Sequence, residues 1–135
     1  MLTRLLRRPV EVSAHCDLPC GVYDPSQAKF EAQSVKACME KYLASEDPDF
    51  RARALVIKEQ RSELVKHHLW VLWTDYFKPP HFEKYPQLHE LINKATKAAG
   101  GGPGGAKSSM DPATGEQLLQ HIAEIEKIFW ETKAA

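Results

Sequence analysis

The chain has 135 residues, 43% of them apolar, and its 18 Lys and Arg balance 18 Asp and Glu to no formal net charge. That is enough for one core, leaves no basic footprint for nucleic acid, and includes no apolar run approaching the ~20 residues of a membrane span. The three cysteines are an odd count and do not make a secreted disulfide framework; reduced thiols and a non-secretory terminus predict a cytoplasmic protein.

Residues 1–14, MLTRLLRRPVEVSA, differ in character from the rest of the chain. They contain Arg4, Arg7 and Arg8 but no apolar run of the ~7–15 residues that a secretory signal needs. They end on Ser13 and Ala14, small residues that suit a protease. Two readings stand level: a removable propeptide, or a frayed basic terminus without a role. Without this segment the chain carries a formal charge of about −2.

The next stretch, HCDLPCGVYDP (15–25), has neither a helical nor a strand period, and Pro19, Gly21 and Pro25 mark it as a loop or hook. It puts His15, Cys16 and Cys20 within six positions. Two thiols and an imidazole this close can wrap one soft metal ion. Structural zinc usually takes two pairs of ligands, and here there is no second cysteine pair, since Cys38 stands alone inside a helical pattern. A chain that began at His15 would offer its terminal amine, the Cys16 amide nitrogen and two thiolates. That near-planar nitrogen–sulfur set suits nickel or copper rather than zinc. On spacing alone, a small disulfide or two free thiols remain open.

Helical signals then repeat. Asp24-Pro25 opens a helix expected over 25–44, with Ala28, Glu31/Ala32, Val35, Cys38/Met39 and Tyr42 inward. Asp47-Pro48 repeats the start, and an uninterrupted pattern over 49–77 carries Ala54, Ile57, Leu64, Val65, Leu69 and Leu72 before Pro79-Pro80 stops it. Residues 79–86 read as an aromatic, proline-rich turn. A third helix is expected over 87–98, and GGGPGGAKSS (100–109) reads as a flexible connection with no side chains to bury. Asp111-Pro112 opens the last helix, over 112–131, with Leu118, Leu119, Ile122, Ile125, Ile128 and Phe129 inward. The expected fold is all-α, an antiparallel up-down four-helix bundle with an N-terminal metal-binding hook.

Glu31 and Arg61 fall on the edges of two apolar stripes; buried charges must be paired, so these two are expected to meet. Lys78 and Lys84, in the run from Phe77 to Tyr85, can raise the local potential for an anion; a plain aromatic packing corner is an equal reading. Cys38 reads as a small buried apolar residue. His67, His68, His81, His89 and His121 form no H-E-x-x-H pattern and read as surface or interface residues.

HCDLPCGVYDP, together with IKEQR (57–61), KHH (66–68), DYFKPPHFEKYP (75–86), DPATG (111–115) and IFWETK (128–133), resembles the nickel-containing superoxide dismutases, whose hook reads H-C-x-x-P-C-G-x-Y. The resemblance runs from His15 to about Lys133. It implies a cut between Ala14 and His15, giving a propeptide over 1–14 and a dismutase domain over 15–135, made of a hook (15–23) and a bundle (24–135). It implies superoxide as substrate, disproportionated to oxygen and hydrogen peroxide at one Ni(II)/Ni(III) ion per subunit of a homohexamer. His15, Cys16 and Cys20 would be the metal ligands. Tyr23 and Tyr76 would lie near nickel, Asp17 would help to position the hook, and Glu31, paired with Arg61, would hold the hook histidine. Pro19 is a candidate cis proline, because the chain must fold back between the two thiolates. A processing protease and a nickel chaperone are candidate partners; nucleic acid and membrane are not. The rival reading is a non-enzymatic helical oligomer that binds or stores a soft metal through the hook. A structural zinc bundle is a weaker one.

Overall fold

The computed structural model describes residues 21–135, and every regular element among them is helical. Three of these helices begin with the same local device. Asp24 Oδ1 accepts the backbone N–H of Ser26 at 2.8 Å, Asp47 Oδ1 that of Asp49 at 3.0 Å, and Asp111 Oδ1 that of Ala113 at 2.9 Å. Each aspartate precedes a proline, which has no N–H to leave unsatisfied at a helix start. The device launches α1 (Ser26–Ala44), α2 (Pro48–Val71) and α5 (Pro112–Ala134). Between α2 and α5 lie the short α3 (Pro79–Lys84), α4 (Leu88–Ala98) and a single 3-10 turn, Ala106–Ser108.

The long helices close a ring: α1 packs on α2 and α5, and α4 packs on the same two. This is the expected up-down bundle. Its interior is built from Ala28, Ala32, Val35 and Met39 of α1, Val65 and Leu69 of α2, Leu88, Ile92 and Ala95 of α4, and Leu118, Ile122, Ile125 and Phe129 of α5. Each large apolar side chain buried this way contributes about 1.5–3 kcal/mol. Gly115 lies where α5 meets α1. A Cβ there would come within 2.8 Å of Lys36 Cβ and 3.0 Å of Lys36 Cα, so glycine permits a close approach that outweighs its poor helix propensity, a cost of ~1 kcal/mol.

Four features depart from the sequence reading. The 49–77 helix is α only to Val71 and continues as a wider π turn, Leu72–Tyr76, with the Phe77 N–H on the Leu72 carbonyl at 2.9 Å. Such turns re-aim side chains and are frequent at functional sites; here Phe77 is buried and Tyr76 is half-buried beside it. The proline-rich turn contains α3, because Pro79 and Pro80 start a helix as readily as they stop one. Its cap is reciprocal: the His81 N–H bonds the Lys78 carbonyl at 2.9 Å, and the Lys78 N–H bonds His81 Nδ1 at 3.1 Å. On α2, Ile57 and Leu64 are only half-buried, while Lys58 and Ser62 lie fully inside.

The glycine-rich connection is also not an open tether. Ala106 and Gly105 are buried, and the Lys107 N–H returns to the Gly100 carbonyl at 3.0 Å. Any side chain at Gly105 would collide with that same carbonyl. Lys58 Nζ donates to the carbonyls of Lys107 and Ser109, both at 3.0 Å, and pairs with Glu59 Oε1 at 3.3 Å. A buried ammonium thus ties the loop to α2, as a buried charge must be paired. Among the described residues, no helix is long and apolar enough to cross a membrane.

Candidate functional site

Tyr23 immediately precedes the Asp24 cap of α1, and Tyr76 ends the π turn after α2. The bundle brings their rings to a centroid distance of 5.5 Å at 55°. Tyr76 is fixed on several sides. It packs on Phe129 at 4.4 Å, stacks on His81 at 5.8 Å, and shares a hydrogen bond of 2.7 Å with Thr132 Oγ1. The two tyrosines line a cleft of ≈ 370 Å³ with Gly21, Lys78, Pro80, His81 and Lys133. Gly21, which follows Cys20 in sequence, adopts φ +68° there, a left-handed conformation that favours glycine.

The cleft is cationic. Among the described residues lining it, two are lysines and none is a carboxylate. Lys133 Nζ sits 5.2 Å from the Tyr76 ring centroid and 5.7 Å from that of Phe129, in cation–π range of both. Of the two lysines singled out in the sequence, Lys78 lines the cleft, whereas Lys84 lies over the Tyr85 ring at 5.4 Å. Lys133 was missed; its signal is its place one turn beyond Phe129 on α5. His81, read from the sequence as a surface or interface residue, is half-buried and lines the cleft. Burial, and then the Lys78 charge, hold its pKa below the ordinary 6.5. With Nδ1 accepting the Lys78 N–H, the neutral ring carries its proton on Nε2.

Glu31 and Arg61 meet as the spacing predicts. Arg61 Nη1 lies 3.2 Å from each Glu31 oxygen, joining α1 to α2 with both groups partly exposed. Neither lines the tyrosine cleft. Cys38, expected to be buried, is only half-buried, beside Ile57 and Arg61 of α2, and burial still pushes its thiol pKa up. His15, Cys16, Asp17, Pro19 and Cys20, with the 1–14 segment, lie outside the described residues.

The model of the nickel-containing superoxide dismutase family matches residues 10–133. This chain belongs to the nickel-containing superoxide dismutase family. It is 64% identical to the superoxide dismutase [Ni] of Streptomyces coelicolor over 135 residues, with both chains fully covered, and 64% identical to that of Streptomyces seoulensis over the same length. A solved native nickel superoxide dismutase superposes with a TM-score of 0.85 at 64% identity, covering 90% of this chain and all of its own. An apo form superposes at 0.80. The chain is therefore an oxidoreductase that disproportionates superoxide with a nickel cofactor.

The residues present fit that metal. Among the described residues, no three His, Cys, Asp or Glu side chains are close enough to share an ion. The hook sequence, 15–20, offers two thiols and an imidazole, nitrogen–sulfur donors of the kind nickel takes.

Proposed function

We propose that His15, Cys16 and Cys20 hold the nickel, and that the cleft between Tyr23 and Tyr76 is the approach to it. The observation that carries this reading is the shared cationic cleft. One tyrosine comes from the hook motif and the other from the end of α2, and the residue after Cys20 forms part of the wall. Nickel bound by thiolates, amine and amide supplies a one-electron Ni(II)/Ni(III) couple within reach of superoxide.

The remaining roles belong to the chain. Lys78 and Lys133 attract the anion. Tyr23 and Tyr76 order water or a small anion at the end of the cleft and bear on proton delivery. Asp17 positions the hook. Glu31, steadied by Arg61, orients the imidazole of His15, as partners of metal-ligating histidines do. We further propose a homohexamer. Phe30, Val56 and Trp130 leave about half or more of their surface exposed on the isolated subunit, at 64%, 54% and 47%, and assembly would cover such residues. A cytoplasmic location, a processing protease and a nickel chaperone complete the reading. What supports the first is the odd cysteine count, which does not make a secreted disulfide framework.

Cleavage after Ala14 would make the site competent. A protonated amide at His15 has no lone pair for a metal, whereas a free terminal amine titrates near ~8 and can ligate at neutral pH. What supports a mature chain from His15 is coverage: the solved native chain spans 90% of this sequence, the share left when residues 1–14 are removed. The test compares a chain starting at His15 with a full-length chain blocked at Ala14. Nickel content, N-terminal mass and superoxide decay are measured for both. The His15 chain is expected to bind nickel and turn over, and the blocked chain to fold without activity. Equal activity in the two would sink the amine ligand, and nickel bound without turnover would favour the storage reading.

A further inference from the structure

We propose that Thr132 is a positioning residue that fixes the direction of the Tyr76 hydrogen bond, so that the phenol faces the cleft as an acceptor and not as a donor. This rests on the reading that Tyr76 works in the cleft.

The direction follows from counting protons. Thr132 Oγ1 donates to the Phe129 carbonyl at 2.6 Å and lies 2.7 Å from the Tyr76 hydroxyl. A carbonyl only accepts, and each hydroxyl has one proton to give. With the Thr132 proton held by Phe129, the bond to Tyr76 can form only if the phenol donates. The Tyr76 proton is then turned into α5. The ring cannot easily swing to bring it back, since Phe129, His81 and Lys133 pack around it at 4.4, 5.8 and 5.2 Å.

A lone pair on the phenol oxygen remains for the cleft. It accepts from water or from a neutral peroxide, which carry protons. It offers nothing to superoxide or to any small inorganic anion, which only accept. The cleft therefore draws anions by the field of its lysines without a short hydrogen bond at Tyr76 to retain them. Thr132 suppresses trapping of anions at the site, and favours contact with the protonated product.

The probe is azide, on the nickel-loaded protein, with Thr132→Val and Thr132→Ser as variants. Valine keeps the shape and removes the hydroxyl; serine keeps the hydroxyl. Ultraviolet resonance Raman reads the tyrosine ring doublet, whose intensity ratio separates a donating phenol from an accepting one, and subtraction of Tyr76→Phe isolates this residue. Tyr76 is expected to be a donor in the parent and in Thr132→Ser, and to lose that signature in Thr132→Val. Freed to donate to an anion, it should tighten azide inhibition about ten-fold in Thr132→Val, the size of one charge-assisted hydrogen bond. No such change is expected in the Tyr76→Phe background. An unchanged doublet in Thr132→Val overturns the assignment. So does tightening that persists without the Tyr76 hydroxyl, which would be a packing effect, or a shifted doublet with unchanged azide inhibition. If the doublet behaves as expected but Tyr76→Phe alone alters neither turnover nor azide inhibition, it is the placement of Tyr76 in the working site that fails.

Discussion

Replacing Lys133 by methionine tests whether the cleft works through its charge. Methionine keeps an unbranched stem of similar length against Phe129 and Tyr76 and removes the ammonium. Lys133 Nζ lies 5.2 Å from the Tyr76 ring centroid, so an anion beside that ring would sit about 5 Å from the charge. Two unit charges at such a distance attract by about 1 kcal/mol in water, and by several times that when partly shielded from it. Salt and the exposure of Lys133 favour the lower figure. Loss of the charge should reduce kcat/KM about 3–10-fold. Because the effect is one of encounter, the steepness of kcat/KM with ionic strength should fall as well. Lys133→Arg keeps the charge and should stay within about two-fold of the parent. The assay is superoxide decay after rapid mixing, over a range of salt concentrations, with nickel content matched. If Lys133→Met and Lys133→Arg have the same kcat/KM and the same salt dependence, the electrostatic account of the cleft is wrong.

Lys58→Met should cost about 3 kcal/mol and lower the thermal midpoint by about 10 °C, because two charge-assisted bonds to loop carbonyls are lost together; calorimetry showing no shift would mean that the glycine-rich loop does not depend on Lys58. Glu31→Ala should cost less than about 1 kcal/mol, since the ion pair with Arg61 is partly exposed, yet it should change the spectrum of the oxidised metal; an identical spectrum would leave Glu31 a plain ion-pair partner. His81 has a lowered pKa in the fold, so the unfolded chain binds more protons below the ordinary value of 6.5. Stability should therefore fall as pH drops from ~7 towards ~5. His81→Asn, whose oxygen can still accept the Lys78 N–H, should show a shallower fall in denaturant midpoint over that range, and equal slopes would remove His81 from the pH response.

Much of the bundle is written locally. An aspartate before a proline caps a helix with its own side chain, needing nothing distant, and the starts of α1, α2 and α5 lie at the expected places. The stripes Ala28–Ala32–Val35–Met39 and Leu118–Ile122–Ile125–Phe129 repeat at the helical period, so their inward faces were legible. So was the Glu31–Arg61 pair, because two charges at stripe edges on neighbouring helices have few other partners. The family, too, was carried by sequence, in the hook motif and in five further stretches spread over the bundle.

Other features depended on groups that the local pattern does not bring together. Periodicity gives the face of a helix but not its rotation to within one residue, and α2 turned Lys58 rather than Ile57 inward. A long charged side chain is usually found with its head in water; this one is buried because carbonyls from the loop before α5, some fifty residues on, supply its acceptors. Lys133 and His81 joined the cleft, and Thr132 met Tyr76 behind it, for the same reason. Each lies on a different part of the chain from Tyr23, and only the packing of α5 and the π turn against the start of α1 brings them to it. Sequence determined the family and where the long helices would start. Tertiary structure decided the charge of the approach and the direction of the hydrogen bond at Tyr76, because both are sums over groups that meet only when the bundle has closed.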